Sequence, residues 1–515
     1  MADVPPVLIV GAGPTGLVLA LWLAEASVAV RIVDRAAGPG TASRAVGVQA
    51  RTLEFYRQLG LADEVVEAGL PFAAANLWVR GRKAGRLAFG DMGRGISPYP
   101  FMLMYPQDEH ERLLIARLDR LGVAVERRTE LAGFEQTEGR VRARLRRPGG
   151  AEEVCEAEYL AGCDGAHSAV RHALGVDFAG GTYPHVFYVA DVQGSGPTMD
   201  GELHGTLDTS DFLALFPLKG RGRGRLIGAV RDAAAAAAGG GLTWEDVDAR
   251  MLGYLGLRVE RVNWFSTYRV HHRVAARFRA GRVFLLGDAA HVHSPVGGQG
   301  MNTGIGDAVN LAWKLADVLR GRAAAGLLDS YEPERIAFAR RLVATTDAAF
   351  EVIARPGPVA ARVRLVAPRV LAALFRLEGV RRLMFRTISQ TALRYRRGPL
   401  SRGAAGQVRG GDRLPWLAPG MRGGGPDNHA ALGSRDWQVH VYGEPGPDLA
   451  ALCRARGLAL HGFPWRPAMH HAGLRRDALY LVRPDGHVAF AGRKGGRAGL
   501  ERYLGSLSRA GAVDG

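Results

Sequence analysis

Cysteine is nearly absent: the 515 residues contain three, Cys155, Cys163 and Cys453. Three thiols exclude a disulfide framework and fit a reducing cytoplasm. Lysine is almost as scarce. Only Lys83, Lys219, Lys314 and Lys494 are present, so the 67 basic residues are nearly all arginine. They outnumber 50 acidic residues for a net charge of +17, but they are scattered, with no basic tail and no zinc-finger spacing. Scattered basic charge suits acidic ligands or a polyphosphate cofactor and argues against nucleic acid. His271, His272, His291 and His293 have no cysteine or acid-rich partner at ligand spacing, so no metal site is expected. There is no Gly-x-Ser-x-Gly elbow for a hydrolytic serine, and no internal repeat. One charge-free stretch, Val4 to Ala24, is long enough for a membrane helix. It lacks a basic flank, and Gly11, Gly13, Pro14, Thr15 and Gly16 interrupt it, so a strand, turn and helix are expected instead.

The chain is long enough for two or three domains, and 47% hydrophobic with 23% charged residues is a globular balance. Val7 to Val10 is an apolar run of the buried parallel-strand type, followed by GAGPTGL at 11–17, an apolar helix, and a second strand ending at Asp34. This order opens a dinucleotide-binding fold. Gly11 permits the tight turn, Gly13 lets backbone approach a pyrophosphate, and Gly16 allows close helix–strand packing. Pro14 and Thr15 begin the helix whose free amides face the phosphate. Asp34, beside Arg35 at the end of the second strand, is placed to accept ribose hydroxyls. Residues 176–275 alternate in short runs such as HVFYVADV and FLALFPL, which predicts an inserted sheet-rich domain. A low-complexity tract, Ala233 to Gly241, is expected as a surface connection. Helices are expected over 346–396, packed on neighbours rather than on a membrane. Residues 397–430 read as a glycine-, proline- and arginine-rich linker, with strands and helices again over 431–515.

Three segments then fall in order: GAGPTGL at 11–17, CDGAHSAVR at 163–171 and LLGDAAHVHSPVGGQGMNTGIGDAVNLAWKLA at 285–316. Together they resemble the single-component flavoprotein aromatic hydroxylases of the phenol and polyketide hydroxylase type. The resemblance covers residues 5–345 strongly and continues through GDRLP at 411–415 and LVRPDGHVAF at 481–490. It implies an α/β fold with a discontinuous FAD-binding domain over 1–175 and 276–345, and a thioredoxin-like domain at the end of the chain. That last domain would lack a redox dithiol, since Cys453 stands alone. It also implies that Asp164-Gly165 lies near the cofactor pyrophosphate, that Gly287-Asp288 meets the ribityl chain, and that Arg44 and Gln107 contact the flavin. Pro295 to Asn302, with Gly297, Gly298, Gln299, Gly300 and Met301 between, would carry backbone along the isoalloxazine ring. Of these, Pro295, Gly298, Gly300 and Asn302 are the catalytic candidates. Such a loop makes physical sense: amides at a helix N-terminus stabilise the anionic reduced ring, and side chains beyond Cβ would collide with it. Asp288 could instead cap the following helix, and Arg44 and Gln107 could be ordinary surface residues.

By resemblance, NADPH or NADH reduces FAD, oxygen adds at flavin C4a, and the distal oxygen attacks an electron-rich ring. Partners would be a small aromatic substrate and molecular oxygen. Tyr188, Phe212, Phe216 and Pro217 are the substrate-contact candidates, though strand alternation alone gives the same pattern. No residue stands out as a general base. A homodimer is the oligomeric expectation, with no residue pattern behind it. Three other readings stay open: Baeyer–Villiger oxygen insertion, a flavin oxidoreductase that inserts no oxygen, and a non-enzymatic nucleotide-binding module.

Overall fold

A computed structural model of the chain describes residues 5–40, 45–208, 212–230, 243–294, 297–354, 358–420, 427–493 and 495–509. Arg44, Pro295 and the tract Ala233 to Gly241 therefore lie outside the described residues. The first sheet has six strands, ordered Arg279–Ala280, Val283–Leu285, Tyr159–Gly162, Val7–Val10, Val30–Asp34 and Val125–Arg127. All neighbours run parallel except the short Arg279–Ala280 edge. Its central strands are apolar on both faces, and Leu8, Ile9, Leu160 and Phe284 are fully buried in a core shared with Leu131, Val141 and Leu145 of a three-stranded antiparallel sheet. Helix Pro14–Glu25 and the long helix Gly300–Leu319 pack closely on one side.

The second sheet has eight strands: His291–Val292, Arg258–Ala275, Phe178–Ser195, Arg223–Val230, Phe212–Pro217, Leu203–Leu207, Ala74–Val79 and Arg82–Ala88. Its last two strands come from residues before the 176–275 stretch and His291–Val292 from residues after it, so the sheet-rich unit is assembled from three parts of the chain. Leu203–Leu207 runs parallel to Ala74–Val79, which makes that join. Helices Tyr331–Ala354, Pro358–Leu374 and Glu378–Ile388 follow. Pro358–Leu374 lies across Arg82–Ala88, where Gly85 leaves room for Ala372. No described helix is long and apolar enough to cross a membrane.

The C-terminal part is a mixed α/β unit, again with six strands in its sheet. Within the stretch read as a linker, Arg402–Ala405 and Val408–Arg409 are strands of that sheet. Glycine permits this: Gly403 and Gly406 have φ of +75° and +67°, and backbone of Ala491 in the neighbouring strand and of Gly473 in a turn lies where their Cβ atoms would be.

The scattered arginines acquire partners on folding. Glu334, fully buried, accepts from Arg483 at 2.6 Å and Lys314 at 2.9 Å, and Arg483 also pairs with Asp485. Arg51 donates to Glu54 and to the Asp485 carbonyl, and Arg413 pairs with Glu54. A chain of buried ions thus fastens the C-terminal unit to the first sheet's helices. Burial also holds two histidines neutral: His110 and His429 are each pushed down to about 3. Their folded values lie below the unfolded value near 6.5, so the unfolded chain binds more protons between the two and stability falls as pH drops through that window. Glu334, depressed from 4.5 to about 2 against burial by Arg483 and Lys314, adds stability present above 4.5 and lost toward 2. Thermal unfolding of the protein should therefore begin to fall below pH 6.5, with each histidine costing roughly 2 kcal/mol by pH 5. A melting temperature unchanged between pH 7 and pH 5 would refute this.

Candidate active site

The glycine turn separates three roles that look alike in sequence. Gly11 has φ of +105°, and a Cβ there would lie 2.3 Å from the Cys163 carbonyl oxygen. At Gly16 a Cβ would lie 1.9 Å from the Gly11 carbonyl oxygen. Both are needed for the chain to pack on itself. Gly13 is different: φ is −78°, open to any residue, and a Cβ would meet nothing within 4 Å. Its missing side chain keeps clear the space before helix Pro14–Glu25. That helix end has no side-chain cap and no acidic residue in its first turn, so the amides after Pro14 point outward unsatisfied. Asp34 lies beside the turn, its carboxylate accepting from the Ala12 and Ala36 amides at 2.7 Å each. Arg35 is exposed next to it.

Thr15 locks the first and third motif segments together. A Cβ on Gly287 would lie 2.6 Å from Thr15 Oγ1, and one on Gly304 2.3 Å from it. The Thr15 side chain therefore fills a notch between two glycines and faces protein. Gly287, at φ +57°, donates its amide to Asp307 at 3.0 Å and leaves Asp288 exposed on the short turn Gly287–Ala289. Asp164 Oδ2 accepts from the Val170 amide at 3.1 Å, while its buried Oδ1 has no hydrogen-bond partner and burial raises its pKa. Gly165 turns beside it at φ +81°. Gln107 starts helix Gln107–Arg120, and its side chain accepts from the Ala45 amide at 3.4 Å and donates to Glu111 at 2.8 Å. What it holds is the stretch that follows Arg44.

The third motif forms a loop entering helix Gly300–Leu319. Gly297 and Gly298 have φ of +79° and +60°, and Gln299 caps the helix by backbone only, with no acid in the first turn. Asn302 is buried and uses its whole side chain: Oδ1 accepts from the Gln49 amide at 2.9 Å and Thr52 Oγ1 at 2.7 Å, and Nδ2 donates to the carbonyls of Gly47 at 2.8 Å and Gly298 at 2.9 Å. Gln49 Nε2 donates to the Gly297 carbonyl at 3.1 Å. Asn302 thus shapes the loop, and the groups left to face a ligand are backbone. Met301 packs back onto the core of the first sheet. Replacing Asn302 by alanine should strand several of these polar groups and loosen the loop. We expect folded protein with FAD affinity reduced at least tenfold, measured by flavin fluorescence on titration; unchanged affinity would contradict the positioning role.

Several site residues escaped the sequence reading. Asp307 is buried, accepts from His291 and Gly287 on one oxygen and from Arg335 Nε at 2.6 Å on the other. Arg335 also donates to the Tyr395 hydroxyl and the Thr303 carbonyl. Gln390, in a left-handed conformation at φ +60°, donates to Thr303 Oγ1 at 2.8 Å. Asp307 left a usable signal, an acid in the middle of an apolar helix. Arg335, Gln49 and Gln390 left none.

The substrate candidates divide between the two faces of the second sheet. Phe212 and Phe216 share one face with Phe187, whose ring lies 5.9 Å from that of Phe212. Phe216 joins the apolar cluster of Phe72, Met102 and Phe375, which reaches Gly47 and the Gly298 carbonyl. On the same face Arg225, fully buried, pairs with Asp191 at 2.6 Å and donates to the Ala45 carbonyl. Tyr188 and Pro217 lie on the opposite face. Tyr188 stacks on Phe265 in the cluster with Leu213, Met251 and Leu255, and Pro217 alternates with Phe216 onto that same far side. The reason is the two-residue period of a strand: Phe187, not Tyr188, points to the Phe212 side. Among the described residues no cluster of His, Cys, Asp and Glu could hold a metal ion.

This geometry accepts FAD. Gly13 leaves an open cradle, two helix N-termini are uncapped, and a buried Asp164 oxygen awaits a donor. Comparison with known proteins agrees. Residues 5–346 match the family of FAD binding domains. The chain is 36% identical to a 6-methylpretetramide 4-monooxygenase of Streptomyces rimosus, over 98% of this chain and 94% of that one. It is 33% identical to a dialkyldecalin synthase of Streptomyces rugosporus over 97% and 98%. Among solved structures, the flavin-dependent monooxygenase PieE in complex with FAD and substrate superposes with a TM-score of 0.79 at 25% identity, covering 99% of this chain and all of the other. The chain belongs to the FAD-binding family of single-component flavoprotein monooxygenases. It is an FAD-dependent monooxygenase.

Proposed function

We infer that the protein hydroxylates a polycyclic phenol of the aromatic polyketide type, using NADPH or NADH as reductant. The observation that carries this is the apolar face of Phe187, Phe212 and Phe216, set on the same side as the Gly297–Gly300 loop. The names of its relatives support the substrate class. FAD, when bound, activates oxygen and supplies the electrons. The chain's own residues do the rest. The amides after Pro14, with Asp34, Arg35, Asp164 and Gly165, would hold the adenosine and pyrophosphate. Asp288, Gln107 and Arg44 would hold the remaining flavin contacts. The backbone from Pro295 to Asn302, including Gln299 and Met301, would lie along the ring, with amides at the helix end stabilising negative charge there. Phe212 and Phe216 would position the aromatic substrate and keep water out.

The C-terminal unit runs strand Gln438–Tyr442, helix, strand Ala459–Phe463, helix, strands Leu479–Val482 and Val488–Gly492, helix. Its sheet order places the first two strands parallel and the last two antiparallel, which supports a thioredoxin-like reading. Cys453 is buried with its pKa raised by burial, so it supports no thiol chemistry in that unit. The lone thiols are in keeping with a cytoplasmic protein.

The test is NADPH and NADH consumption by FAD-loaded protein with hydroxyanthraquinones, naphthols and monocyclic phenols. Polycyclic substrates should accelerate turnover, and Phe216→Ala should raise KM about tenfold with a smaller change in kcat. Equal stimulation by monocyclic phenols, or none by any phenol, would reject the substrate class.

A further inference from the structure

A second cavity lies away from the flavin loop, between the C-terminal unit and the far end of helix Gly300–Leu319. Its volume is about 970 Å³, in the range of small-molecule sites, and it sits at a junction between units, where such sites concentrate. Trp437, Leu327, Leu400 and Leu507 give it an apolar lining. Trp437 is fixed: its ring meets Trp313 edge-on at 5.4 Å and its Nε1 donates to Asp317 at 3.0 Å.

Charge distinguishes this cavity from an ordinary packing defect. Its three carboxylates share two arginines. Asp317 and Asp436 both pair with Arg322, at 2.9 and 3.0 Å, and Asp329 pairs with Arg279 at 2.5 Å. Three more arginines, Arg397, Arg402 and Arg456, line the same cavity, are exposed, and form no ion pair among the described residues. The walls therefore combine a fixed indole, aliphatic side chains and guanidinium groups outside any ion pair, with four arginines to three carboxylates in the lining. Guanidinium planes stack on aromatic faces and bind carboxylate or sulfonate through paired donors.

We propose that this cavity is a second binding site, for a planar polycyclic aromatic anion, separate from the flavin-dependent site. A ligand there would touch both units at once and hold them together, raising stability by mass action. This proposal does not depend on which substrate the flavin site hydroxylates.

The test uses the FAD-loaded full chain and 9,10-anthraquinone-2-sulfonate as probe, followed by calorimetry and tryptophan fluorescence. Binding should quench tryptophan emission and weaken as salt rises. The double variant R397E/R456E changes exposed side chains only, so it should fold normally and bind the probe at least tenfold more weakly at this site. Trp437→Phe should lose most of the quenching while calorimetry still detects the probe. Phe216→Ala, on the other side of the molecule, should leave this binding intact, which separates the proposal from the reading of the substrate site. Equal probe affinity in R397E/R456E and wild type, or binding abolished by Phe216→Ala alone, would overturn it.

Discussion

Gly13→Asp should yield a folded, colourless protein, while Gly16→Ala should yield little folded protein at all. The two glycines are three residues apart in one motif, and the structure assigns them opposite sensitivities. At Gly13 the backbone suits any residue and a Cβ has open space, so the fold tolerates the change. The added carboxylate would then occupy the phosphate space and take up the helix-end amides itself, by the same attraction that draws a phosphate. FAD affinity should fall at least a hundredfold with the melting temperature of the apoprotein within about 2 °C of wild type, since surface changes away from packed features typically stay within ±0.5 kcal/mol. At Gly16 the Cβ would sit 1.9 Å from the Gly11 carbonyl oxygen, and the strand and helix would have to separate. Overpacking of this kind costs about 1–3 kcal/mol where backbone can yield, and more here because the obstacle is backbone. Circular dichroism and flavin absorbance of the two variants decide the matter. A yellow Gly13→Asp protein would show that the cradle is not where FAD binds.

The second large effect is expected at Glu334. This carboxylate is fully buried and accepts from both Arg483 and Lys314. Glu334→Ala would leave two buried cations facing each other without it, a loss of about 3–5 kcal/mol for breaking a buried pair. Lys314, already lowered to about 8 by burial, would shed its proton more easily and offset part of that cost. Glu334→Gln keeps the shape but not the charge and should fall between. Arg483 belongs to the C-terminal unit and Glu334 to the helix after the flavin motif, so the loss should appear as early unfolding of the C-terminal unit. Hydrogen exchange of residues 438–492 before and after substitution measures it; uniform protection throughout would contradict the coupling.

These two cases show what was legible in sequence and what was not. The glycine turn could be read because local backbone geometry demands glycine at particular spacings, and the third motif because it resembles a known family. The parallel sheet followed from uninterrupted apolar runs such as Val7 to Val10. Glu334, Arg335, Arg483 and Gln49 were invisible because their partners lie far off in sequence, and an arginine destined for burial looks like any other. Tyr188 and Phe187 illustrate a third limit: both are aromatic neighbours in one strand, and only the register decides which face each takes. The strands at Arg402–Ala405 and Val408–Arg409 hid within a glycine-rich stretch because glycine there serves close approach between strands, not flexibility.

The central claim is oxygen insertion, and a similar chain of this family bears the name of a synthase, so product mass is the direct measure. FAD-loaded protein, NADPH and a responsive hydroxyanthraquinone would be incubated under oxygen-18 gas. The product should be heavier by one labelled oxygen atom, with the second atom recovered in water. A product formed with no label, or a rearranged substrate formed without NADPH consumption, would contradict it.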